Sequence, residues 1–248
     1  MPGPVVVTGG SRGIGAATAR LLAQRGHAIC LSFVHDAEAA DEVVTACAAA
    51  GIEAIAVRAD VSVEADVVEL FRTADAELGP IAGLVNNAGV VDRQARLEEI
   101  TTARLERMFA VNVTGAFLCA REAVRRLSTR HGGGGGAIVN VSSRAAVLGA
   151  PGEYVDYAAA KAAVDAMTVG LSKEVADEGI RVNAVRPGLI ATQIHAQGGE
   201  PGRVHRLAPT LPMKRPGRVE EVAAAIAWLL SDEASYVTGS FIDVGGGR

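Results

Sequence analysis

A tyrosine and a lysine four residues apart, Tyr157 and Lys161, have the types and spacing best suited to proton transfer in this sequence. Side chains at positions i and i+4 of a helix share a face, about one turn apart. A tyrosine with its ordinary pKa of about 10 transfers protons poorly near neutral pH, and lowering that pKa to about 7 takes roughly 4 kcal/mol. A positive charge about 5 Å away contributes roughly 3 kcal/mol at an effective dielectric constant near 20. Lys161 together with a bound cationic group would therefore supply the shift.

The same tyrosine, taken by itself, suits an ordinary half-buried position on a helix equally well. Tyr154 lies one turn earlier but has Ala158 at its i+4 position, so it lacks the lysine partner. The choice between catalysis and packing therefore depends on what else the chain places near Tyr157.

A glycine-rich stretch near the amino terminus, VVVTGGSRGIGAATARLL at 5–22, joins a predicted strand to a predicted helix. Gly9, Gly13 and Gly15 let a pyrophosphate approach the backbone, and the amides and dipole of the helix favour its negative charge. No Gly-Lys-Ser/Thr follows, which excludes a mononucleotide P-loop. A tight turn without any ligand is the alternative for three glycines by themselves.

Strand-like and helix-like segments alternate along the whole sequence. The predicted strands are Val5–Thr8, Ala28–Phe33, Ala54–Arg58, Leu84–Asn86, Ile138–Val141, Val182–Val185 and Phe241–Val244. The predicted helices are Ile14–Gln24, Ala37–Ala50, Val63–Leu78, Val219–Leu230 and, less sharply bounded, 105–130 and 154–177. The strands are apolar on both faces and no two-residue turn joins them, which is typical of a parallel sheet covered by helices. We predict one α/β domain over residues 1–248, a doubly wound (Rossmann) sheet of about seven strands with helices on both faces.

The composition narrows the classes of partner. Hydrophobic residues make up 49% of the 248 and the net charge is −4, which disfavours nucleic acid because that partner requires a dense basic surface. No apolar run approaches the roughly 18 residues of a membrane span, and no signal peptide precedes the first strand. Cys30, Cys47 and Cys119 lack metal-ligand spacing. We therefore expect no metal site and no membrane partner, and reduced, mostly buried thiols in a cytoplasmic protein.

Five motifs follow one another along the chain. They are Thr8-Gly9-xxx-Gly13-x-Gly15, Asn86-Asn87-Ala88-Gly89, Ser142-Ser143, Tyr157-xxx-Lys161 and Pro187-Gly188. Each lies at the carboxyl end of a predicted strand or on the helix after it, and in this order they resemble the short-chain dehydrogenase/reductase family over essentially residues 4–247. The resemblance implies an oxidoreductase that binds a nicotinamide dinucleotide and interconverts a secondary alcohol and a ketone, with Tyr157 as the general acid–base.

The resemblance also implies roles for individual positions. Asn112 links Lys161 to solvent through water, and Ser143 holds the substrate oxygen. Ser142 is the rival for the serine role, because the interval from Ser143 to Tyr157 is one residue longer than is usual in the family. The implied cofactor-binding residues are Gly9, Ser11, Arg12, Gly13, Ile14, Gly15, Asp60, Val61, Asn87, Ala88, Gly89, Tyr157, Lys161, Pro187, Gly188 and Thr192. For Asp60, an aspartate at a helix start is the structural alternative.

Two features favour NADP(H) over NAD(H). An NAD-dependent protein of this fold carries an acid at the end of the second strand, where this sequence has Phe33, and such an acid would repel a 2′-phosphate. Arg12, inside the glycine loop, is able to make a charge-assisted contact to that phosphate. Asp36 is the alternative acid, although it is better explained as the cap of the helix that begins at Ala37.

The segment 190–216 is rich in Gly, Pro, Thr and Gln and has little periodicity, which predicts a substrate lid at about 190–212. His195 within it is the alternative catalytic base.

The run Gly132–Gly136 predicts a loose surface connection. The resemblance implies that subunits pair through the helix that carries Tyr157 and the helix before it. Small side chains on the first of these allow close contact, so we expect a homotetramer.

The small-molecule substrate stays open at this point. A small ketone, a sugar and a β-ketoacyl group on an acyl carrier protein all suit the family. Arg125, Arg126 and Arg130 offer a carrier protein some positive charge, but Glu178 lies where such reductases are often basic, so we interpret the arginines as a solvated helix face. A non-catalytic dinucleotide-binding sensor is the rival function of another class.

Overall fold

The computed structural model describes residues 3–248, apart from the side chains of His195 and Gln197, and in this range seven strands form one parallel sheet. The strands are β1 (Val5–Val7), β2 (Ile29–Phe33), β3 (Ala54–Arg58), β4 (Gly83–Asn86), β5 (Gly136–Val141), β6 (Ile180–Pro187) and β7 (Phe241–Val244). Their order across the sheet is β3-β2-β1-β4-β5-β6-β7. The order reverses between β1 and β4, so a crevice opens there at the carboxyl ends of the strands.

Helices cover both faces of this sheet. They are α1 (Gly13–Gln24), α2 (Ala37–Ala49), α3 (Glu64–Leu78), α4 (Thr102–Phe109), α5 (Gly115–Leu127), α6 (Ala145–Leu148), α7 (Val155–Glu174), α8 (Ile194–Gln197), α9 (Arg203–Leu207) and α10 (Val219–Leu230). The core under α1, α2 and α10 contains Leu22, Val43 and Ile226. The opposite core, under α3 and α5, contains Phe71 and Cys119. This is the predicted doubly wound fold.

Strand β1 shows why the central strands are apolar throughout. Val5 and Val7 belong to the core under α1, whereas Val6 belongs to the core under α3. Successive residues of a strand point to opposite faces, so a strand with helices on both sides buries every side chain.

The long helix predicted over 105–130 differs from the structure in its bounds and its regularity. It begins three residues earlier, at Thr102, where the Thr101 hydroxyl caps it by accepting from the Arg104 amide at 3.2 Å. A π-helical turn, Ala110–Thr114, separates α4 from α5. Single π-helical turns are frequent at functional sites, and sequence periodicity does not reveal them.

The run Gly132–Gly136 packs against the protein, so the predicted loose surface connection is wrong for part of it. Gly136 begins β5, and a Cβ added there would lie 2.4 Å from the carbonyl oxygen of Ala82. A Cβ at Gly133 would lie 2.2 Å from the carbonyl oxygen of Arg126. These glycines therefore permit close backbone contact.

Three further expectations concern the chain as a whole. Cys30, Cys47 and Cys119 are buried and unpaired, as predicted. Within residues 3–248, no helix is long and apolar enough to cross a bilayer. In the same part of the chain, no three His, Cys, Asp or Glu side chains group together in a way that would hold a metal ion.

Candidate active site

Tyr157 and Lys161 lie on one face of α7, beside the carboxyl end of β5. The Nζ atom of Lys161 is 5.7 Å from the centroid of the Tyr157 ring and donates to the Val141 carbonyl oxygen at 2.8 Å. Burial lowers the pKa of the Lys161 ammonium to about 8, while the carboxylate of Asp165 acts in the opposite direction. The lysine is thus anchored to the strand and held over the phenol ring.

The Tyr157 hydroxyl is protonated at neutral pH in the protein alone. Burial raises the pKa of Tyr157 to about 12, and a hydrogen bond with Ser143 lowers it by a smaller amount. Desolvation penalises the phenolate, which explains the direction of the shift. Bringing this pKa near neutrality therefore requires a positive charge in addition to Lys161.

The two serines that follow β5 have different environments. Ser142 is buried, and its hydroxyl donates to the Lys161 carbonyl oxygen at 3.2 Å, which ties β5 to α7. Ser143 is half-buried, its Oγ accepts from the Ala145 amide at 3.1 Å, and it is the serine hydrogen-bonded with Tyr157. The geometry therefore brings Ser143 beside the tyrosine and gives Ser142 a structural contact.

Asn112 lies in the π-helical turn and is 1% exposed. Its Nδ2 donates to the carbonyl oxygens of Val90 and Met108, both at 3.0 Å, and its Oδ1 accepts from the Val90 amide at 3.1 Å. A Cβ at Gly89 would lie 2.8 Å from this Oδ1 and 3.4 Å from the Nζ of Lys161. Gly89 thus fits between the asparagine and the lysine, and Asn112 holds the loop after β4 against the site.

A buried polar chain supports the site, and the sequence analysis missed it. Asn86 Nδ2 donates to Asn140 Oδ1 at 3.2 Å and to the Ala116 carbonyl oxygen at 2.8 Å. Asn140 Nδ2 donates to the Thr168 hydroxyl at 2.9 Å. The chain joins β4 and β5 to α5 and α7, the elements around Tyr157. Its signal in the sequence is an asparagine within each of two otherwise apolar strands.

The glycine loop is joined to the loop after β4 by Thr8, which was also missed as a site residue. Its hydroxyl oxygen accepts from the amides of Asn87 and Ala88 at 2.9 and 3.0 Å. Asn87 Nδ2 donates to the carbonyl oxygens of Thr8 and Gly9 at 2.8 and 3.0 Å. Gly15 allows this approach, because a Cβ there would lie 2.6 Å from Asn87 Nδ2.

The amino terminus of α1 faces the crevice and fits a dinucleotide pyrophosphate. Its N-cap residue is Arg12, no side chain caps its first amides, and its first turn contains no acid. Free amides and the positive end of the helix dipole bind phosphate well. Thr192 lies opposite, because a Cβ at Gly13 would be 3.7 Å from its Cγ2. The glycine loop, which includes the half-buried Ser11, and the base of segment 190–212 therefore lie next to each other.

Three further predicted cofactor residues, Ile14, Asp60 and Val61, make contacts within the protein. Asp60 Oδ1 accepts from the amide and hydroxyl of Ser62 at 2.9 and 2.7 Å, which organises the turn before α3. Asp60 is not the N-cap residue of α3, because that residue is Val63. The side chains of Ile14 and Val61 pack into the two cores.

Three predicted positions lie elsewhere around the site: Gly188, Asp36 and His195. Gly188, after Pro187 at the end of β6, rests on the chain beyond β7, because a Cβ there would lie 2.8 Å from Gly245 Cα. Asp36 Oδ1 accepts from the Ala39 amide at 3.0 Å and caps α2, as predicted. The side chain of His195 lies outside the described residues.

Comparison with known proteins matches almost the entire chain. A family model described as enoyl-(acyl carrier protein) reductase matches residues 9–248. The chain is 57% identical to the Escherichia coli (strain K12) protein named uncharacterized oxidoreductase YgfF, over 98% of each chain. It is 46% identical to cis-4-hydroxycyclohexanecarboxylate dehydrogenase of Sinomonas cyclohexanicum, over 98% of this chain and 94% of that one. A solved structure of a short-chain dehydrogenase from Burkholderia cenocepacia J2315 in complex with NADP is similar with a TM-score of 0.90 at 31% identity, covering 99% of this chain and 97% of that one.

Proposed function

Because this chain belongs to the short-chain dehydrogenase/reductase family and is an NAD(P)-dependent oxidoreductase acting on CH–OH groups, we propose that it interconverts a secondary alcohol and a ketone with NADP(H). The observation that carries the proposal is the cluster of Ser143, Tyr157 and Lys161 at the carboxyl end of β5. The cluster lies at the same edge of the parallel sheet as the amino terminus of α1, which fits a pyrophosphate.

Each member of the cluster has a separate task in ketone reduction. Ser143 donates a hydrogen bond to the substrate oxygen and orients it. Tyr157 donates its hydroxyl proton to that oxygen, and Lys161 stabilises the phenolate that results. When bound, the dinucleotide would supply the hydride for the carbonyl carbon and, in the oxidising direction, a positively charged ring. That charge and Lys161 together oppose the burial that raises the pKa of Tyr157 to about 12.

The end of β2 supports NADP(H) as the cofactor. Phe33 stands where an acid would bind the ribose hydroxyls of NAD, and Asp36 is engaged in capping α2. Titration of the protein with NADPH and NADH, followed by fluorescence, tests the preference. We expect tighter binding of NADPH. Equal affinities for the two cofactors would contradict the preference for NADP(H).

The surface around α5 supports a small-molecule substrate over a carrier protein. Arg125 pairs with Glu122 at 2.7 Å, and Arg130 pairs with Glu178 at 3.1 Å. Glu178 is itself buried and accepts from the Ser128 hydroxyl. Arg126 is also paired, with Asp75, so the arginines that we interpreted as a solvated face are neutralised by acids. Such a surface offers an acidic carrier protein little net attraction.

A ketone panel with NADPH tests the function directly. The panel holds open-chain ketones, cyclic ketones with and without a carboxylate, a ketose and a β-ketoacyl thioester. We include 4-oxocyclohexanecarboxylate, because a relative at 46% identity is named for the corresponding alcohol. NADPH oxidation by wild type but not by Tyr157→Phe supports the proposal. Tight NADPH binding with no turnover on any member would favour the sensor.

The assembly that this site would work in is a homotetramer. Phe117 on α5 and Val169 on α7 are 50% and 37% exposed, and the small residues Ala162 and Ala166 of α7 are exposed as well. Exposed apolar side chains on neighbouring helices favour burial against a second subunit. Light scattering at micromolar concentration tests this, and a monomer there would contradict it.

A further inference from the structure

Arg58, the last residue of β3, lies beside the end of β2. The register pairs it with Phe33, and the amide of Ala59 donates to the Phe33 carbonyl oxygen at 2.9 Å. The Nε atom of Arg58 donates to the Val34 carbonyl oxygen at 3.2 Å. Neighbouring strands are about 4.8 Å apart. The guanidinium is therefore fixed at the carboxyl end of β2, although the residue as a whole is exposed.

The alternation of side chains along β3 shows on which face of the sheet the side chain of Arg58 lies. Ala54 and Ala56 pack into the core under α1 and α2, whereas Ile55 and Val57 pack into the opposite core. Side chains two residues apart on a strand point the same way. Arg58 therefore belongs to the face covered by α1, the helix whose free amino-terminal amides fit the pyrophosphate.

The charges around this end of the sheet leave the guanidinium available. Asp36 is occupied by the cap of α2, and Asp60 by the turn at Ser62. Between residues 3 and 248, the two Nη atoms of Arg58 form no hydrogen bond and no ion pair. The end of β2 thus presents a cation at the place where an NAD-dependent protein of this fold presents an acid.

We propose that Arg58 is a specificity-determining residue that binds the 2′-phosphate of the adenosine ribose of NADP(H), on the far side of β2 from Arg12. The inference rests on the proposed function, because only that cofactor brings a phosphate monoester to this place. The fold sets the ribose 2′ position at the end of the second strand, and an arginine near it accommodates the phosphate. The Nε bond to Val34 leaves both Nη atoms to donate in parallel to two phosphate oxygens.

The test compares Arg58→Gln with Arg25→Gln, a matched control. Arg25 is an exposed arginine at the opposite end of α1, so both variants lose one positive charge. Wild type and both variants are titrated with NADPH, NADH, 2′,5′-ADP, ADP and inorganic phosphate. We expect Arg58→Gln to lower the affinity for NADPH and 2′,5′-ADP about tenfold, and the affinity for NADH and ADP less than twofold. We expect Arg25→Gln to change none of them by more than twofold, and inorganic phosphate not to distinguish the variants.

The outcomes separate this inference from the proposal beneath it. If wild type prefers NADPH and Arg58→Gln prefers it equally, Arg58 has no part in the selection and the cofactor proposal stands. If Arg58→Gln weakens NADH as much as NADPH, the residue acts on the adenosine in general or on the fold, and the inference is again wrong. If wild type binds 2′,5′-ADP no better than ADP, the role of Arg58 and the preference for NADP(H) are both wrong. Ketone reduction with NADH would in that case still support the proposed reaction. Thermal unfolding of each variant within about 2 °C of wild type shows that the comparison concerns binding.

Discussion

The cluster around Tyr157 and segment 190–212 are neighbours held in place by different kinds of contact. Around Tyr157 the contacts are buried hydrogen bonds to backbone, such as Lys161 to Val141 at 2.8 Å and Asn112 to Val90 at 3.0 Å. Segment 190–212 contains two helices of four and five residues, α8 and α9. The buried side chains of Ile190 and Leu211 fix its two ends, and ion pairs of Arg203 and Arg206 hold the part between them.

Arg203 is the main anchor of that segment. It pairs with Glu153 at 2.5 Å and with Glu200 at 3.1 Å, and its guanidinium carbon is 5.2 Å from the centroid of the Tyr154 ring. A Cβ at Gly198 would lie 3.2 Å from the Tyr154 hydroxyl. The segment therefore rests on the residues that immediately precede α7.

This difference is the one we expect between a fixed site and a lid. Reactive groups need supporting hydrogen bonds that hold them within a fraction of an ångström. In the ion pairs of Arg203 the arginine side chain is 8% exposed, but the carboxylates of Glu153 and Glu200 are 28% and 24% exposed, so water and salt reach these pairs and weaken them. Segment 190–212 thus suits a lid that closes over substrate, as we predict from the sequence.

The largest expected effect is that of Tyr157→Phe, which breaks the fixed site at its centre. Loss of a general acid–base lowers the rate typically 10²–10⁴-fold. We expect turnover to fall by at least about 10²-fold in steady-state assays with a substrate found in the ketone panel. The affinity for NADPH should stay within about twofold of wild type. A variant with more than about a tenth of wild-type activity would contradict the role of Tyr157.

The two adjacent serines provide a matched pair. Ser143→Ala removes the hydroxyl beside Tyr157, and we expect kcat to fall about 10²-fold, as for loss of one donor to a reacting oxygen. Ser142→Ala removes the hydrogen bond to the Lys161 carbonyl, and we expect about 1 kcal/mol less stability with kcat changed only a few-fold. Steady-state kinetics and thermal unfolding of both variants decide the matter. The reverse ranking of kcat would make Ser142 the functional serine.

The buried lysine predicts a pH dependence of stability. Its pKa is about 8 in the fold and 10.5 in its ordinary state, so between these values the unfolded chain binds more protons. The free energy of unfolding therefore gains from this residue as pH rises from about 8 to 10.5, by at most about 1.4 kcal/mol per pH unit. Lys161→Met lacks this contribution. The Tm of wild type should therefore rise relative to that of the variant as the pH increases from 7.5 to 9.5.

Lys173→Met is the control for that measurement, because Lys173 is exposed on the same helix. Its Tm should run parallel to that of wild type across the range. If the Lys161→Met curve also ran parallel, the burial of Lys161 would not penalise its charge, and the electrostatic account of the site would be wrong.

The smallest effect is expected at the lid. Arg203→Gln removes the pair with Glu153, whose side chain is 28% exposed and is able to rehydrate. We expect KM to rise about three- to tenfold with kcat within twofold, because ion pairs that water reaches are worth about 1 kcal/mol. Arg206→Gln, at a more exposed pair with Glu200, should change KM less than twofold.

Hydrogen exchange sharpens the same contrast. In wild type without ligands, amides of 190–212 should exchange faster than those of α7, and the ternary complex should slow them. Arg203→Gln should speed exchange in 190–212 and leave α7 unchanged. Strong protection of 190–212 in the free protein would make the segment a fixed wall.

The sequence by itself determined the sheet, the glycine loop and the Tyr157–Lys161 pair, because these depend on local periodicity and on spacing within one element. It missed the π-helical turn at Asn112, the glycine contacts at Gly136 and the polar chain through Asn86, since each depends on a neighbour far away in the chain. Only the tertiary structure placed Ser143 beside Tyr157, tied Ser142 to the Lys161 carbonyl and paired the buried Glu178 with Arg130. It also set Arg58 beside Phe33, because the register between strands, and with it the meeting of distant side chains, is decided when the two cores pack.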